Sequence, residues 1–235
     1  MHKVLIHICC GPCSLMPLRR LREAGYEPVA WYGNPNIEPA EEYERRRTGF
    51  RDFAEDTGLA VIEGSYDPEA FHAAIAGNEG IFPCVEGVSE SLEMREQRQE
   101  RCRRCYRLRF TRLAQTAREQ GIRAIATSLS VSPWQFTEVI AEELECAATS
   151  LGLVSLFVDY RADYPEATRL SRERGMYRQN YCGCASSRRE AELERAARRA
   201  ARREERHVEH GATETEGTVS RTSALNPQGT RDADG

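Results

Sequence analysis

Lysine is nearly absent from this chain of 235 residues: Lys3 is the only one, so arginine makes up 32 of the 33 lysine and arginine residues. Cationic contacts therefore fall to guanidinium groups, which suit phosphates and base stacking better than ammonium groups do. Long apolar runs are missing too. None approaches the roughly 18 residues a membrane span needs, and no membrane partner is expected. The first apolar stretch has only His2 and Lys3 ahead of it, so no secretory leader is expected and the chain is placed in a reducing cytoplasm. There is no Walker A loop, no G-x-G-x-x-G after a strand and no Ser-Gly-Gly signature after the first strand, which leaves a nucleotide cofactor without support. A positive balance is also lacking: the net charge is -4, so the molecule as a whole is no polyanion binder. The arginines are nevertheless gathered, at Arg45-Arg46-Arg47, over residues 95–112 and over 188–206. Such clusters can form a local basic face for nucleic acid, although interleaved glutamates are also the pattern of a solvated helix.

What the chain does have is a thiol-bearing turn at its start. Val4-Leu5-Ile6-His7-Ile8 reads as a short buried strand, with His7 a hydrogen-bonded core residue. It runs straight into Cys9-Cys10-Gly11-Pro12-Cys13, where Gly11 and Pro12 force a turn before a helix with Leu15, Leu18 and Leu21 on one face. Further strands are expected over 29–32, 59–62, 122–127 and 153–158. Helices are expected over 39–57, after the cap Asp67-Pro68, over 94–120, from Ser132-Pro133 onward and over 164–174. This alternation predicts an α/β fold, a mainly parallel five-stranded sheet with helices on both faces and a metal site at the carboxyl ends of the strands. Residues 1–187 form the catalytic domain in this reading, 188–206 a charged Arg/Glu/Ala helix and 207–235 a disordered tail.

Nine cysteines in a reducing compartment point to metal binding or redox catalysis rather than structural disulfides. Seven are grouped, as Cys9-Cys10-x-x-Cys13, Cys102-x-x-Cys105 and Cys182-x-Cys184, while Cys84 and Cys146 stand alone and read as inert. Zinc and iron–sulfur clusters both accept four thiolates. Zinc accounts for four and strands the rest, and adjacent Cys9-Cys10 sits awkwardly in a zinc ribbon; seven grouped thiols favour a cluster plus a second redox element. Cys182-Gly183-Cys184 differs in kind, because a disulfide there closes a small strained ring that is readily reduced again. The pair can alternate between dithiol and disulfide; the plainer reading makes both thiols metal ligands.

Five stretches, taken in order, resemble the cobalamin-independent epoxyqueuosine reductases (QueH). They are Ile8-Cys9-Cys10-Gly11-Pro12-Cys13, Asn34-Pro35-Asn36-Ile37, Arg101-Cys102-Arg103-Arg104-Cys105-Tyr106, Ser132-Pro133-Trp134-Gln135 and Tyr177-Arg178-Gln179-Asn180-Tyr181-Cys182-Gly183-Cys184. The resemblance covers about residues 3–187, with two departures, Gly11 in place of Ala and Trp134 in place of Tyr. It implies reduction of epoxyqueuosine to queuosine at the wobble position of tRNA, the last biosynthetic step, with a [4Fe-4S] cluster and an unidentified electron donor. The ligands it implies are Cys9, Cys10, Cys102 and Cys105, with Cys182 and Cys184 as the redox-active pair. It also allows an additional adjacent iron, for which Cys13 and one thiol of the last pair are candidates.

Removing an epoxide oxygen to leave an alkene takes two electrons and two protons, and the oxygen departs as water. Tyr106, Tyr181 and Asp159 are the candidate proton donors. The arginine clusters are expected to hold anticodon-stem phosphates, and the modified base, lying in a loop, can be splayed into a pocket. Two other classes compete: an iron–sulfur tRNA-thiolating enzyme, which needs ATP, and a non-enzymatic zinc module that binds RNA through its arginines.

Overall fold

The computed structural model describes residues 2–83 and 91–219; Cys84 lies outside the described residues. Strand β1 (His2–His7) is central and pairs in parallel with β2 (Tyr26–Tyr32) and β4 (Ala124–Thr127). The edge strands β3 (Val61–Glu63) and β5 (Val154–Ser155) complete an all-parallel sheet of order β3-β2-β1-β4-β5. Side chains alternate across a strand, and here the alternation feeds two cores. Leu5, Val29 and Trp31 enter one; Val4, Ile6, Ile8, Ala30 and Tyr32 enter the other. A strand buried on both faces has no polar side, which is why β1 reads as a continuous apolar run broken only by His7.

Helix α1 (Gly11–Glu23) and helix α2 (Ala40–Asp56) cover the second core with Leu15, Leu18, Phe50 and Phe53. The first core is closed by α4 (Leu92–Glu119) and α5 (Thr137–Ser150), whose Phe110, Leu113 and Leu144 are wholly buried. Each such side chain contributes about 1.5–3 kcal/mol by leaving water. The short helix α3 (Pro68–Ile75) starts where expected: the Asp67 carboxylate accepts from Ala70 N at 3.0 Å. Asp67 also pairs with Arg112 at 2.8 Å, tying α3 to α4. Helix α6 (Tyr164–Glu173) packs on α1, and Gly175 follows it at φ +61°.

Three expected elements are corrected. The helix expected from Ser132-Pro133 begins instead at Thr137, and residues 132–136 form a turn closed by Gln135 N donating to Ser132 O at 3.2 Å. The side chain of Gln135 is engaged by Tyr106 and Cys182, and Trp134 is 69% exposed. The fifth strand is two residues long, because it has a ladder partner on one side only. The C-terminal helix α7 runs Ala185–Val219, crossing the boundary set at 206; once nucleated, a helix propagates through Gly211 and Gly217 at a cost of about 1 kcal/mol each. No helix among the described residues is long and apolar enough to cross a membrane.

Candidate active site

The end of β1 delivers three thiols together. Cys10 is the extended residue before α1, at φ -170° and ψ 165°, so the chain turns from strand to helix between the cysteines. Cys9 and Cys10 Sγ lie 3.8 Å apart, and the sulfurs of Cys9, Cys10 and Cys13 all lie within 4.8 Å of one another. Ser128, one residue past β4, accepts from Cys9 N at 3.3 Å and donates to Cys9 Sγ at 3.7 Å. From the far end of the chain, Gln179 Nε2 donates to Cys10 Sγ at 2.8 Å. Hydrogen bonds from Cys10 and Cys13, with help from nearby Arg109, hold the Cys9 thiol well below its ordinary range against its burial. Burial pushes Cys10 up, and the other two sulfurs push Cys13 up. Crowded sulfurs in a buried setting resist full ionisation, and a bound cation would draw the protons off.

A second group faces it. Cys102 and Cys105 lie one turn apart on α4, and burial raises both, Cys105 to about 12. Cys182 and Cys184 lie near enough for their charges to act on Cys102 and Cys105, and all four are free thiols. Gln135 Nε2 donates to Cys182 Sγ at 3.3 Å while its Oε1 accepts from Tyr106 O–H at 2.6 Å.

The loop that carries Cys182 and Cys184 is clamped from α2. Arg46 is 2% exposed and donates to the carbonyls of Cys182 at 2.8 Å and Tyr181 at 3.2 Å. Its Nε is held by Glu42 at 2.8 Å, and Glu42 also accepts from Tyr177 O–H at 2.8 Å. Gly183 (φ +156°) lies against Asn36 and Ile37: a Cβ at 183 would sit 2.7 Å from Asn36 Nδ2. The carbonyl of Gly183 accepts from Glu38 N at 2.9 Å. The Asn34-Pro35-Asn36-Ile37 stretch is therefore the seat of the cysteine loop. Cysteines 182 and 184 reach the site because glycine between them lets the backbone approach.

Of the expected ligands, Cys9 and Cys10 come together with Cys13, whereas Cys102 and Cys105 face Cys182 and Cys184. His7 is a hydrogen-bonded core residue, as expected, and burial followed by Arg109 lowers it to about 3. Tyr106 is the one candidate proton donor joined to a loop thiol, through Gln135. Tyr181 O–H donates to Glu38 O at 2.5 Å, and Asp159 is engaged by Arg161 at 2.6 Å. Cys146 is exposed on α5. The phosphate role expected of the arginine clusters is corrected for Arg46, Arg101 and Arg109, which are buried inside the protein. Arg101 pairs with Glu190, while Arg47, Arg103, Arg104, Arg107 and Arg112 are each bound to a carboxylate. Gln135 and Gln179 carry no chemical signal in the sequence that would mark them as thiol partners. Their signal is position alone, beside Trp134 and three residues before Cys182.

Two groups of buried and half-buried thiols, one at the carboxyl end of β1 and one on α4 and the loop at 182–184, in an all-parallel α/β fold, fit an enzyme of the metal-thiolate or dithiol redox class. The family model described as epoxyqueuosine reductase QueH matches residues 4–190. A Thermotoga maritima protein of that name is 33% identical over 196 residues, covering 80% of this chain and 91% of the relative. One from Dehalococcoides mccartyi is 28% identical over 186 residues, covering 79% and 92%. Among solved structures, a predicted subunit of tRNA methyltransferase from Methanocaldococcus jannaschii aligns with a TM-score of 0.46 and 13% identity over 74% of this chain and 75% of that one. The chain belongs to the QueH family of epoxyqueuosine reductases.

Proposed function

We propose that this protein reduces epoxyqueuosine to queuosine at the wobble position of tRNA, using a [4Fe-4S] cluster and the Cys182/Cys184 pair. The observation that supports the reading is the buried Arg109, which donates to Cys105 Sγ at 3.8 Å and lies within electrostatic reach of Cys182 and Cys9, so that thiols from all three stretches neighbour one side chain. The donor set fits a metal-thiolate centre: three sulfurs within 4.8 Å of one another, buried or half-buried, in a fold that also holds a buried guanidinium, Arg109, that pairs with no carboxylate among the described residues. Cys9, Cys10, Cys102 and Cys105 would hold the cluster, leaving Cys13 and one thiol of the loop pair for an additional iron. When bound, the centre supplies single-electron transfer and a Lewis acid for the epoxide oxygen.

The residues of the chain do the remaining work. Cys182 and Cys184 lose two protons and two electrons as they join in one S–S bond. In the substrate both epoxide C–O bonds break, the C=C bond forms, and the oxygen takes up two protons and leaves as water. An external reductant returns the disulfide to the dithiol. Gln135 orients Cys182 by donating to its sulfur and ties the Tyr106 phenol to it by accepting the Tyr106 O–H. Trp134, next to Gln135 and edge-on to Tyr164 at 5.3 Å, offers an open aromatic face for an unstacked anticodon-loop base. On α7, Arg195, Arg199, Arg202 and Arg206 recur at steps of four, three and four, which places them along one stripe of the helix. That stripe suits anticodon-stem phosphates, and binding through it weakens as salt rises.

The test is conversion of tRNA carrying epoxyqueuosine by anaerobically reconstituted protein under dithionite, read by mass spectrometry of the nucleosides. Queuosine is expected. Unchanged epoxyqueuosine, from protein shown to hold its cluster, would overturn the reading.

A further inference from the structure

Among the described residues three arginines, Arg46, Arg101 and Arg109, are almost wholly buried, and they differ in one respect. Arg46 has Glu42 and Arg101 has Glu190. Arg109, 1% exposed, has no carboxylate within ion-pairing distance among the described residues. A buried cation without an anion is strongly destabilising, so its partner must be sought among groups that become anions.

Its neutral partners come first. Nη2 carries two hydrogens, one aimed at Asn34 Oδ1 at 2.7 Å and the other at His7 Nε2 at 2.9 Å. The amide of Asn34 is oriented by its Nδ2, which donates to Ile8 O at 2.9 Å and so turns Oδ1 toward the guanidinium. His7 Nδ1 lies 3.1 Å from Thr127 Oγ1, and its Nε2 lies 3.1 Å from Asn34 Oδ1 as well as 2.9 Å from Arg109 Nη2, so the ring, the amide and the guanidinium form one buried network. His7, Asn34 and Thr127 lie at the carboxyl ends of β1, β2 and β4, three adjacent strands. The sheet thus fixes the cation where the thiols gather, yet offers it no charge.

The other side of the guanidinium faces sulfur. Nη1 donates to Cys105 Sγ at 3.8 Å, and Cys105, Cys182 and Cys9 are the groups whose ionisation acts on Arg109. Nε is buried with no hydrogen-bond partner. Both thiol groups are therefore in electrostatic reach of one fixed cation.

We propose that Arg109, held by His7 and Asn34, is the buried counter-cation of the thiolate centre and sets how readily that centre accepts an electron. The inference rests on the cluster-bearing reading given above. Reduction adds one negative charge to the centre, and a fixed positive charge beside it favours the reduced form. Removing that charge lowers the midpoint potential.

The experiment is a redox titration followed by electron paramagnetic resonance, with iron and sulfide counted in each sample, on wild type, Arg109→Gln, Arg109→Lys and Asn34→Asp. Arg109→Gln is expected to lower the reduced-to-oxidised ratio at fixed potential at least tenfold, a midpoint fall of about 59 mV for one electron. Arg109→Lys keeps the charge and stays near wild type. Asn34→Asp sets a carboxylate against Nη2, cancels the charge while leaving the guanidinium in place, and lowers the midpoint as Arg109→Gln does. An unchanged midpoint in a loaded Arg109→Gln or Asn34→Asp protein overturns the proposal and leaves the reductase reading standing. If both variants lose the cluster, retention by Arg109→Lys supports a requirement for charge, and loss by Arg109→Lys as well overturns it in favour of a purely structural role. A wild-type protein without iron or sulfide overturns the reductase reading and this inference together.

Discussion

The two thiol groups are held in different ways. Cys9, Cys10 and Cys13 are close in the chain and sit on the junction of a buried strand and the helix after it, so the elements that make the core also place the sulfurs. Cys102 and Cys105 ride on one helix, but Cys182 and Cys184 reach them on a loop held by side chains of other elements: Arg46 and Glu42 from α2, and Gln135 from the turn before α5. A site fixed by a strand–helix junction is as stable as the fold. One fixed by hydrogen bonds from distant residues can be unseated without unfolding anything, and that is what a pair alternating between dithiol and disulfide requires.

Cysteine variants break this contrast most sharply. Cys102→Ser is expected to lose both cluster and turnover, whereas Cys184→Ser keeps its iron and sulfide and loses only turnover. Equal cluster loss in the two, read by metal analysis beside the activity assay, would remove the division of roles. Next comes the clamp. Arg46→Met frees the carbonyls of Tyr181 and Cys182 and removes the guanidinium that lies 5.0 Å from the Tyr181 ring. A misplacement of about 1 Å can cost about 100-fold in rate, so turnover is expected to fall by about that factor with the iron and sulfide content unchanged. Loss of the cluster in Arg46→Met would show that the two groups are not held independently.

How much of this was legible in the sequence follows from what each residue needs. The central strands and the mainly parallel sheet could be read because both faces of the sheet are buried there, which makes runs such as Val4-Leu5-Ile6 plain. The thiol junction was legible for the same reason, since Gly11 and Pro12 mark a turn next to a strand. The start of α5 was not: Ser132-Pro133 carries a good helix-start signal, but Gln135 is drawn to Tyr106 and Cys182 and the chain stays irregular until Thr137. Nor was the division of the arginines legible. Arg45, Arg46 and Arg47 are identical letters, yet Arg46 alone turns inward, and only tertiary packing decides which of three adjacent helical positions does so. The family departure at Gly11 has a local account: a Cβ there would meet Met176 Cε at 2.6 Å, the far end of a flexible side chain.

Smaller effects sharpen the comparison at its rim. Trp134→Ala is expected to weaken tRNA binding by about 1–3 kcal/mol, the value of one base–aromatic stack, with Trp134→Tyr retaining most of it; an equilibrium binding titration reads both. The smallest effect belongs to the tie between α4 and α5, made by Glu143 with Arg103 and Arg107. Burial pushes the Glu143 carboxyl up, but Arg107 and Arg103 more than offset this and leave it below its ordinary range. A depressed carboxyl gives stability that is present above its unfolded value and is lost as the pH falls through its folded value. Glu143→Gln is expected to cost about 1 kcal/mol at neutral pH, in keeping with partly exposed arginine partners, and to flatten the acid limb of the stability curve below pH 4.5. An unaltered acid limb would rule Glu143 out as its source.

The central claim is that the gathered thiols hold an iron–sulfur cluster, and the most direct measurement is iron, zinc and acid-labile sulfide analysis with electron paramagnetic resonance on anaerobically purified protein. The account predicts about four iron and four sulfide per chain and a cluster signal after dithionite, with iron in excess of sulfide marking an additional site. Zinc at about one per chain with no sulfide, persisting after anaerobic reconstitution, would contradict it.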